Sequence, residues 1–201
     1  MKAKSSRIII FGAGGRVGRA AVAEARRRGH EVTTTGRADG NVTDPAAVAR
    51  LAAGHEAAIV AVYDAGTRPG EFFPAVARAL AEGLPAAGVK RLVSVGLASV
   101  LPTASGDLLM DTPGYPQEWR EFYVGHGAGT EALRTAAPQA LDWVVLSPAG
   151  DFDHEGESSG RYALTLAATD SRITPADFAR ALLDEVEVPT LHQTHAGVSA
   201  V

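Results

Sequence analysis

A glycine-rich stretch near the start of the sequence constrains the fold more than any other feature. The apolar run 8–11 is followed by Gly12, Gly15 and Gly18, and an alanine-rich segment comes directly after them. Glycine at these positions lets a strand end, lets the chain turn tightly and lets a helix pack closely on that strand. The spacing predicts a strand–turn–helix unit whose helix N-terminus attracts the phosphates of a dinucleotide.

Strand-like and helix-like segments alternate along the rest of the chain. Strands are predicted at 7–11, 31–35, 57–62, 91–95 and 141–146. Helices are predicted over 17–28, 45–53, 69–82, 117–136 and 175–186. This alternation predicts an α/β fold, a Rossmann-type doubly wound parallel sheet with a small C-terminal substrate-side region. We expect one domain, residues 1–201, in which residues 147–201 contribute the substrate-side cap.

Local signals refine three of these segments. Asp44 before Pro45, and Thr174 before a proline and an acidic residue, are typical helix starts. The basic run 26–28 is interpreted as a solvated helix end that the helix dipole favours. Residues 191–201 form either a last strand or a disordered tail.

Composition excludes several classes of function. The chain has no cysteine, so it has no disulfide, no thiol nucleophile and no thiolate metal ligand. Its formal net charge of −4 provides no positive field for nucleic acid. No apolar run is long enough for a secretory signal or a membrane span. We therefore expect a soluble cytoplasmic protein, monomeric or homodimeric, that binds a small-molecule substrate and neither nucleic acid nor membrane.

The end of the second predicted strand bears on which dinucleotide is bound. An acidic residue there would bind a ribose 2′-hydroxyl and favour NAD, but the strand ends in two threonines, Gly36 and Arg37. A guanidinium suits a 2′-phosphate, and Arg16 in the loop adds a second cation. The sequence predicts that NADP(H) is preferred over NAD(H). The alternative is a preference for NAD(H). It stays open because Asp39 follows two residues later and because Arg37 can also be interpreted as a solvated turn residue.

Further segments carry a resemblance to a known family. They are residues 12–18 (GAGGRVG), 72–96, 111–119 (DTPGYPQEW), 141–152 (LDWVVLSPAGDF), 159–164 and 172–187. In this order they resemble the atypical short-chain dehydrogenases, in particular the NAD(P)H-binding, NmrA-like branch. The segments 111–119 and 141–149 are similar to small bacterial NADH-flavin reductase-like members. The resemblance implies a nicotinamide nucleotide at the carboxyl ends of the strands.

The same resemblance, together with the glycine spacing, implies a set of cofactor contacts. The loop residues surround the pyrophosphate, Arg37 meets the adenosine ribose, and an Asn-Val pair lies by the adenine. Further residues lie beneath the ribose, near the nicotinamide and beside its ring. The full set is Gly12, Gly14, Gly15, Arg16, Val17, Gly18, Arg37, Asn41, Val42, Val62, Tyr63, Val95, Gly96, Ser147, Pro148 and Ala149. The short link from Arg37 to Asn41 predicts that the usual third strand is vestigial.

The usual proton-transfer pair of short-chain dehydrogenases is absent. That pair is Tyr-x-x-x-Lys, yet no lysine follows Lys90, and Tyr123 has Gly127 four residues later. A flavin or quinone accepts hydride into a delocalised ring and takes its proton from water, so it does not need this pair. The sequence therefore favours an NADPH-dependent oxidoreductase acting on a flavin, quinone or similar conjugated acceptor.

Other side chains are candidates for proton transfer or substrate orientation. Tyr123 and His126 share a helix face at i, i+3, and His154 follows the last predicted strand. Packing or surface roles are the alternative for each. His192 and His195 lack a third ligand, so no metal is expected. Trp119 and Trp143 are interpreted as core or cap packing.

Two functions of other classes fit the same residues. One is a redox sensor that binds NADP(H) without turnover, because the missing Tyr/Lys pair suits it equally well. The other is a non-redox cyclase or isomerase of small-molecule biosynthesis on the same fold. Fold analogy alone does not choose among them.

Overall fold

The computed structural model describes residues 5–201, so Lys2 and Lys4 lie outside the described part. A seven-stranded sheet has the order β2-β1-β3-β4-β5-β9-β7, and β6 pairs with β8 in a separate two-stranded sheet. The strands are β1 (Arg7–Phe11), β2 (Glu31–Thr35), β3 (Ala57–Val60), β4 (Arg91–Val95), β5 (Asp142–Pro148), β6 (Asp151–Phe152), β7 (Tyr162–Thr165), β8 (Arg172–Ile173) and β9 (Thr194–Ala200). The helices are α1 (Arg16–Arg27), α2 (Pro45–Ala52), α3 (Pro69–Ala86), α4 (Arg120–Ala136) and α5 (Pro175–Glu187).

Helices cover both faces of the main sheet because its inner strands are apolar on both sides. Ile8 and Ile10 of β1 pack with α1 and α5, whereas Ile9 and Phe11 pack with α2, α3 and α4. All neighbouring strands are parallel except β7, which runs antiparallel to β9. The predicted α/β, Rossmann-type doubly wound sheet is confirmed.

Residues 191–201 provide a strand rather than a disordered tail. β9 lies between β5 and β7, with Val145 beside His195 and Ser147 beside Gly197. At the opposite end β2 is the edge strand, and residues 37–44 form no strand, as the short link predicted. None of the helices formed by residues 5–201 has the length and apolarity that a membrane crossing needs.

Several predicted boundaries differ from the structure, among them the end of β5, which lies at Pro148 and not at 146, and the following three. β3 ends at Val60 because its neighbour β1 ends at Phe11, and the chain beyond it turns toward the glycine loop. α3 continues through Gly83 to Ala86. A side chain at Gly83 would collide with α2, so this glycine allows close contact between the two helices and does not end α3. α4 begins at Arg120 after a turn formed by residues 117–119.

The two predicted helix starts are confirmed, and one interpretation is wrong. The Asp44 carboxylate accepts a hydrogen bond from Ala46 N, and Thr174 Oγ1 accepts one from Asp177 N. Arg26 is exposed, as expected for a solvated helix end. Arg28, in contrast, is largely buried and pairs with carboxylates of α1 and α5, so it joins those helices instead of facing water.

A second buried guanidinium fixes the amino ends of β4 and β5. Arg91 is 6% exposed and pairs with Asp142 and Glu185, each at 2.7 Å. It also donates to the carbonyl oxygens of Glu185, at 2.9 Å, and Leu191, at 3.1 Å. One side chain thus joins β4, β5, α5 and the segment that leads into β9.

Candidate functional site

The glycine loop is locked onto the ends of β2 and β3. Gly12 has φ +78°, and a Cβ there would overlap the carbonyl oxygen of Ala61. A Cβ at Gly18 would overlap the carbonyl oxygen of Gly12. The N–H groups of Gly12 and Ala13 donate to Thr35 O at 3.1 and 3.3 Å. Glycine is therefore required at 12 and 18 to bring β1, β3 and α1 into contact.

The middle of the same loop is open. A Cβ at Gly14 would meet no atom within 4 Å, and one at Gly15 would meet only Gly12 O, at 3.5 Å. Gly15 is the N-cap of α1, and no side chain caps this helix. The first N–H groups of α1 are therefore available to an anion, and the backbone can approach it closely. The loop fits a pyrophosphate.

A groove at the carboxyl edge of the sheet extends from this loop and has about 1600 Å³ of empty space, part of it open to solvent. The ends of β1, β2 and β3 meet here because parallel strands all end at one edge. The predicted cofactor contacts that line it are Gly12, Gly14, Gly15, Arg37, Asn41, Val42, Val62 and Tyr63. Arg16, Val17 and Gly18 form the first turn of α1 and are not among the residues that line the groove. Thr43, Asp64 and Thr67 also line it, and sequence patterns alone did not single them out.

Charged side chains of both signs stand where the groove meets the end of β2. The side chain of Arg37 is 77% exposed, and its guanidinium lies 3.6 Å from Asp64. Asp39 Oδ2 accepts a hydrogen bond from Gly36 N at 2.7 Å, so this carboxylate is fixed beside the end of β2. Arg19 Nη1 donates to Gly14 O at 2.5 Å, which adds a second exposed guanidinium beside the loop.

A second, smaller cavity lies between the sheet and the helices α3 and α4, with about 460 Å³ of empty space, part of it open to solvent. Val95, Gly96 and His126 line it, and it shares Val62 with the groove. The His126 ring centroid is 3.7 Å from that of Phe73. Burial, with the nearby His195, lowers the pKa of His126 to about 3. Its imidazole is therefore neutral at neutral pH.

The predicted contacts on β5 are buried rather than exposed at the groove. Ser147 is 0% exposed and its Oγ lies 2.7 Å from His195 Nε2. A Cβ at Gly96 would come within 2.6 Å of that same Oγ, so the Gly96 backbone covers the pair. Pro148 and Ala149 are also buried. Burial, with the charge of Arg134, lowers the pKa of His195 to about 4.

The three catalytic candidates are not brought together. Tyr123 is 7% exposed, and its ring lies edge-on to Tyr115, with centroids 5.4 Å apart. Burial, with the nearby Tyr115 and Glu118, raises the pKa of Tyr123. His126 faces the inner cavity, whereas His154 is exposed in the loop after β6.

The two histidines near the C-terminus and the two tryptophans can now be compared with their interpretations from the sequence. His192 bonds Asp142 at 2.9 Å while His195 bonds Ser147, so the two do not share a site. Among residues 5–201 no group of three or more His, Asp or Glu side chains is arranged for a metal. Trp143 is buried as expected, but Trp119 is 62% exposed, so its interpretation as packing is wrong.

The fold and the groove together define a class of protein. A doubly wound sheet with an open glycine loop at the N-terminus of its first helix is the architecture that binds nicotinamide dinucleotides. The sequence profile of the NAD(P)H-binding family matches residues 12–189. The chain belongs to this family, and its placement in the NmrA-like branch of the atypical short-chain dehydrogenases is confirmed.

Similar proteins span nearly the whole chain. The uncharacterized protein YwnB of Bacillus subtilis is 34% identical over 200 residues, covering 91% of this chain and 93% of its own length. A Bacteroides thetaiotaomicron structure, whose name suggests an epimerase, has a TM-score of 0.85 at 28% identity, with 98% of each chain covered. A Streptococcus pneumoniae structure, whose name suggests an NADH-flavin reductase, has a TM-score of 0.80 at 27% identity, covering 98% of this chain and 100% of that chain. The two names indicate different reactions on one fold.

Proposed function

We propose that this protein is an NADPH-dependent oxidoreductase that transfers a hydride to a flavin, a quinone or a similar conjugated acceptor. The observation that carries the proposal is the groove, in which the open glycine loop, Arg37, Asn41 and Tyr63 line one continuous surface. Bound NADPH would supply the hydride. The protein's part is to bind NADPH and the acceptor and to orient their two rings.

Each group of residues has a proposed task. Gly14, Gly15 and the first N–H groups of α1 hold the pyrophosphate, with Arg16 beside them. Asn41 Oδ1 already accepts from Thr43 N at 3.0 Å, which leaves its amide N–H groups for the adenine edge. Val62, Val95 and Gly96 lead from the ribose toward the inner cavity. We also propose that residues 147–201 contribute the substrate side, because the loop after β5 leaves the same edge of the sheet.

Arg37 and the arginines of the loop support a preference for NADP(H) over NAD(H). Arg37 is far from saturated by its 3.6 Å contact with Asp64, so it remains available to a 2′-phosphate. Asp39 is the competing group, since a carboxylate at this edge would accept from a ribose hydroxyl. Its hydrogen bond to Gly36 N holds it against the end of β2.

The proton is proposed to come from water, with His126 orienting the ligand. With a pKa of about 3, His126 is not in its acidic imidazolium form at neutral pH, so it is not the proton donor. The N–H of its neutral ring still donates a hydrogen bond. Tyr123 is buried against Tyr115, away from the lining of both cavities. A delocalised acceptor does not need a precisely placed acid.

Nucleotide binding is tested by titrating NADPH and NADH into nucleotide-free protein and following nicotinamide fluorescence. We expect Gly14→Ala to weaken binding by about tenfold or more, because its Cβ occupies the space where the pyrophosphate approaches. The matched control is Gly70→Ala in α3, where a Cβ also meets no atom within 4 Å but lies outside the groove. Failure of the wild-type protein to bind either nucleotide would overturn the proposal.

Cofactor preference and turnover are separate outcomes. Arg37→Ala is expected to weaken NADPH binding by roughly tenfold to a hundredfold and to leave NADH binding nearly unchanged. Oxidation of NADPH by riboflavin or a quinone is then followed by absorbance. Tight binding with no turnover by any acceptor would favour the redox sensor over the oxidoreductase.

A further inference from the structure

A loop at the carboxyl edge of the sheet is held by one buried carboxylate. Residues 154–161 lie between β6 and β7, and every one of them is exposed. Among residues 5–201, the hydrogen bonds that join this loop to residues other than its neighbour Asp153 all end on Asp177 of α5. Asp177 is 0% exposed, so the anchor lies inside the protein although the loop itself lies in water.

The two carboxylate oxygens of Asp177 share the donors between them. Oδ1 accepts from Ser158 Oγ at 2.5 Å and from Gly160 N at 2.9 Å. Oδ2 accepts from Ser159 N at 3.0 Å and from Thr174 Oγ1 at 3.0 Å. Burial alone would raise the pKa of Asp177, but these bonds lower it below its usual value. The group is therefore an ionised acceptor at neutral pH.

Capping of α5 does not account for this arrangement. In a capping box the acidic side chain three residues after the N-cap returns to the N-cap N–H. Thr174 is the N-cap of α5, but the Asp177 carboxylate bonds the hydroxyl of Thr174 and not its N–H. The Arg180 guanidinium adds an ion pair at 3.7 Å. The remaining three donors all belong to the loop, so the carboxylate serves the loop more than the helix.

The 154–161 loop begins on the same apolar cluster as the glycine loop. α5 packs against α1, and both helices begin at the carboxyl edge of the sheet. Phe152, which precedes the loop, meets the ring of Phe178 edge-on with centroids 5.2 Å apart. Ala13 and Val17, in and just after the glycine loop, pack on the cluster that Phe152 also contacts. A ligand at this edge of an α/β sheet is surrounded by the loops that follow the strands.

We infer that Asp177 is a positioning residue that anchors the 154–161 loop as a lid over the nicotinamide end of the groove. Residues 158–160 carry all the bonds to Asp177, whereas residues 154–157 bond only to Asp153. The anchored part thus fixes where the loop stands, and the remainder can adjust to a ligand. The inference rests on the proposed function, because it takes a nicotinamide nucleotide as the molecule that the lid covers.

Asp177→Asn tests the anchor without creating a cavity. The N–H groups of Ser159 and Gly160 bond different oxygens and cannot act as acceptors, so either orientation of an amide leaves one of them facing an NH2 group. We expect the amide hydrogens of these two residues to exchange with deuterium at least about tenfold faster than in the wild-type protein, as measured by NMR. Ser158→Ala removes a single donor and should increase the exchange rate by roughly threefold.

Asp153→Asn is the matched control, with the same substitution and the same loss of charge beside the same loop. Asp153 accepts from Glu155 N and Gly156 N through Oδ1 alone, at 3.2 and 2.8 Å, so an amide oxygen can keep both bonds. Exchange in residues 158–160 should therefore match that of the wild-type protein. Equal exchange rates in Asp177→Asn and the wild-type protein would overturn the assignment of the anchor.

The lid is tested by how well it shields bound NADPH from a neutral quencher. Acrylamide is added to NADPH that is saturated with protein, and nicotinamide fluorescence is followed. We expect a quenching constant at least about twofold larger for Asp177→Asn than for the wild-type protein or Asp153→Asn, with a smaller increase for Ser158→Ala. Equal constants in all four proteins would overturn the lid. If the wild-type protein binds no NADPH, the proposed function fails, and exchange in the nucleotide-free protein still decides whether Asp177 is the anchor.

Discussion

At the scale of the residue, His195 connects the chemistry of the site to the stability of the protein. It is buried on β9 against Ser147, and its pKa is lowered to about 4 from the value of 6.5. The unfolded chain therefore binds a proton more readily than the folded chain between these two values. The stability due to the neutral ring is complete above pH 6.5 and is lost as pH falls toward about 4.

The expected loss from this one group is on the order of 3 kcal/mol of unfolding free energy. Chemical denaturation at a series of pH values measures it. His195→Gln keeps a polar partner for Ser147 but cannot titrate, so its stability should fall less between pH 6.5 and pH 4. The control His154→Gln changes an exposed ring and should follow the wild-type curve. If the unfolding free energy of His195→Gln fell with pH as steeply as that of the wild-type protein, the loss would not be due to His195.

Some residues of the site could be predicted from the sequence and others could not. Gly12 and Gly18 could be predicted because close approach of β1 and α1 forbids a side chain there, and this constraint is local. The Ser147–His195 pair could not be predicted, since the two residues meet only through the register of β5 and β9. The interpretation of Trp119 as packing is wrong for the same reason, because the exposure of a side chain depends on neighbours that are distant in sequence.

At the scale of the element, Arg91 is the main connection among β4, β5 and α5. Arg91→Ala would leave Glu185, which is 6% exposed, without its cation, and would leave Asp142 with only His192 as a partner. Removing one partner of a buried ion pair costs about 3–5 kcal/mol. We expect a loss of this size in urea unfolding, with little change in nucleotide affinity because the network lies at the opposite edge from the groove.

Arg134→Ala provides the comparison at the surface. The side chains of Arg134 and its partner Glu131 are 51% and 60% exposed, and exposed pairs three or four residues apart on a helix contribute about 0.2–0.5 kcal/mol. Equal losses in the two variants would mean that the network of Arg91 is no stronger than a surface pair.

Element boundaries were predicted best where a local signal marks them. Asp44 and Thr174 mark helix starts in the sequence because a capping side chain bonds its own helix. The end of β3 carries no such signal. It is set by where the neighbouring strand β1 ends, so a run of apolar letters alone extended the predicted strand too far.

At the scale of the whole molecule, the sheet depends on β9. This strand joins β7 to β5, and Val198 within it is 0% exposed. A variant lacking residues 191–201 would expose the edge of β5 and release β7, so we expect no cooperative unfolding transition by circular dichroism. Deletion of Val201 alone, which is 61% exposed, should unfold as the full chain does. A cooperative transition in the shorter variant would mean that the remaining strands form a stable sheet by themselves.

The position of β9 also fixes an order of assembly that differs from the order of synthesis. β7 is made before β9, yet its sole partner in the described sheet is β9. The segment with Leu164 and Leu166 therefore stays unpaired until some thirty later residues have been made and β9 has formed. These two side chains remain 49% and 53% exposed even in the folded protein. Over that interval the nascent protein presents a short, uncharged, strand-forming sequence, the kind of segment that chaperones shield.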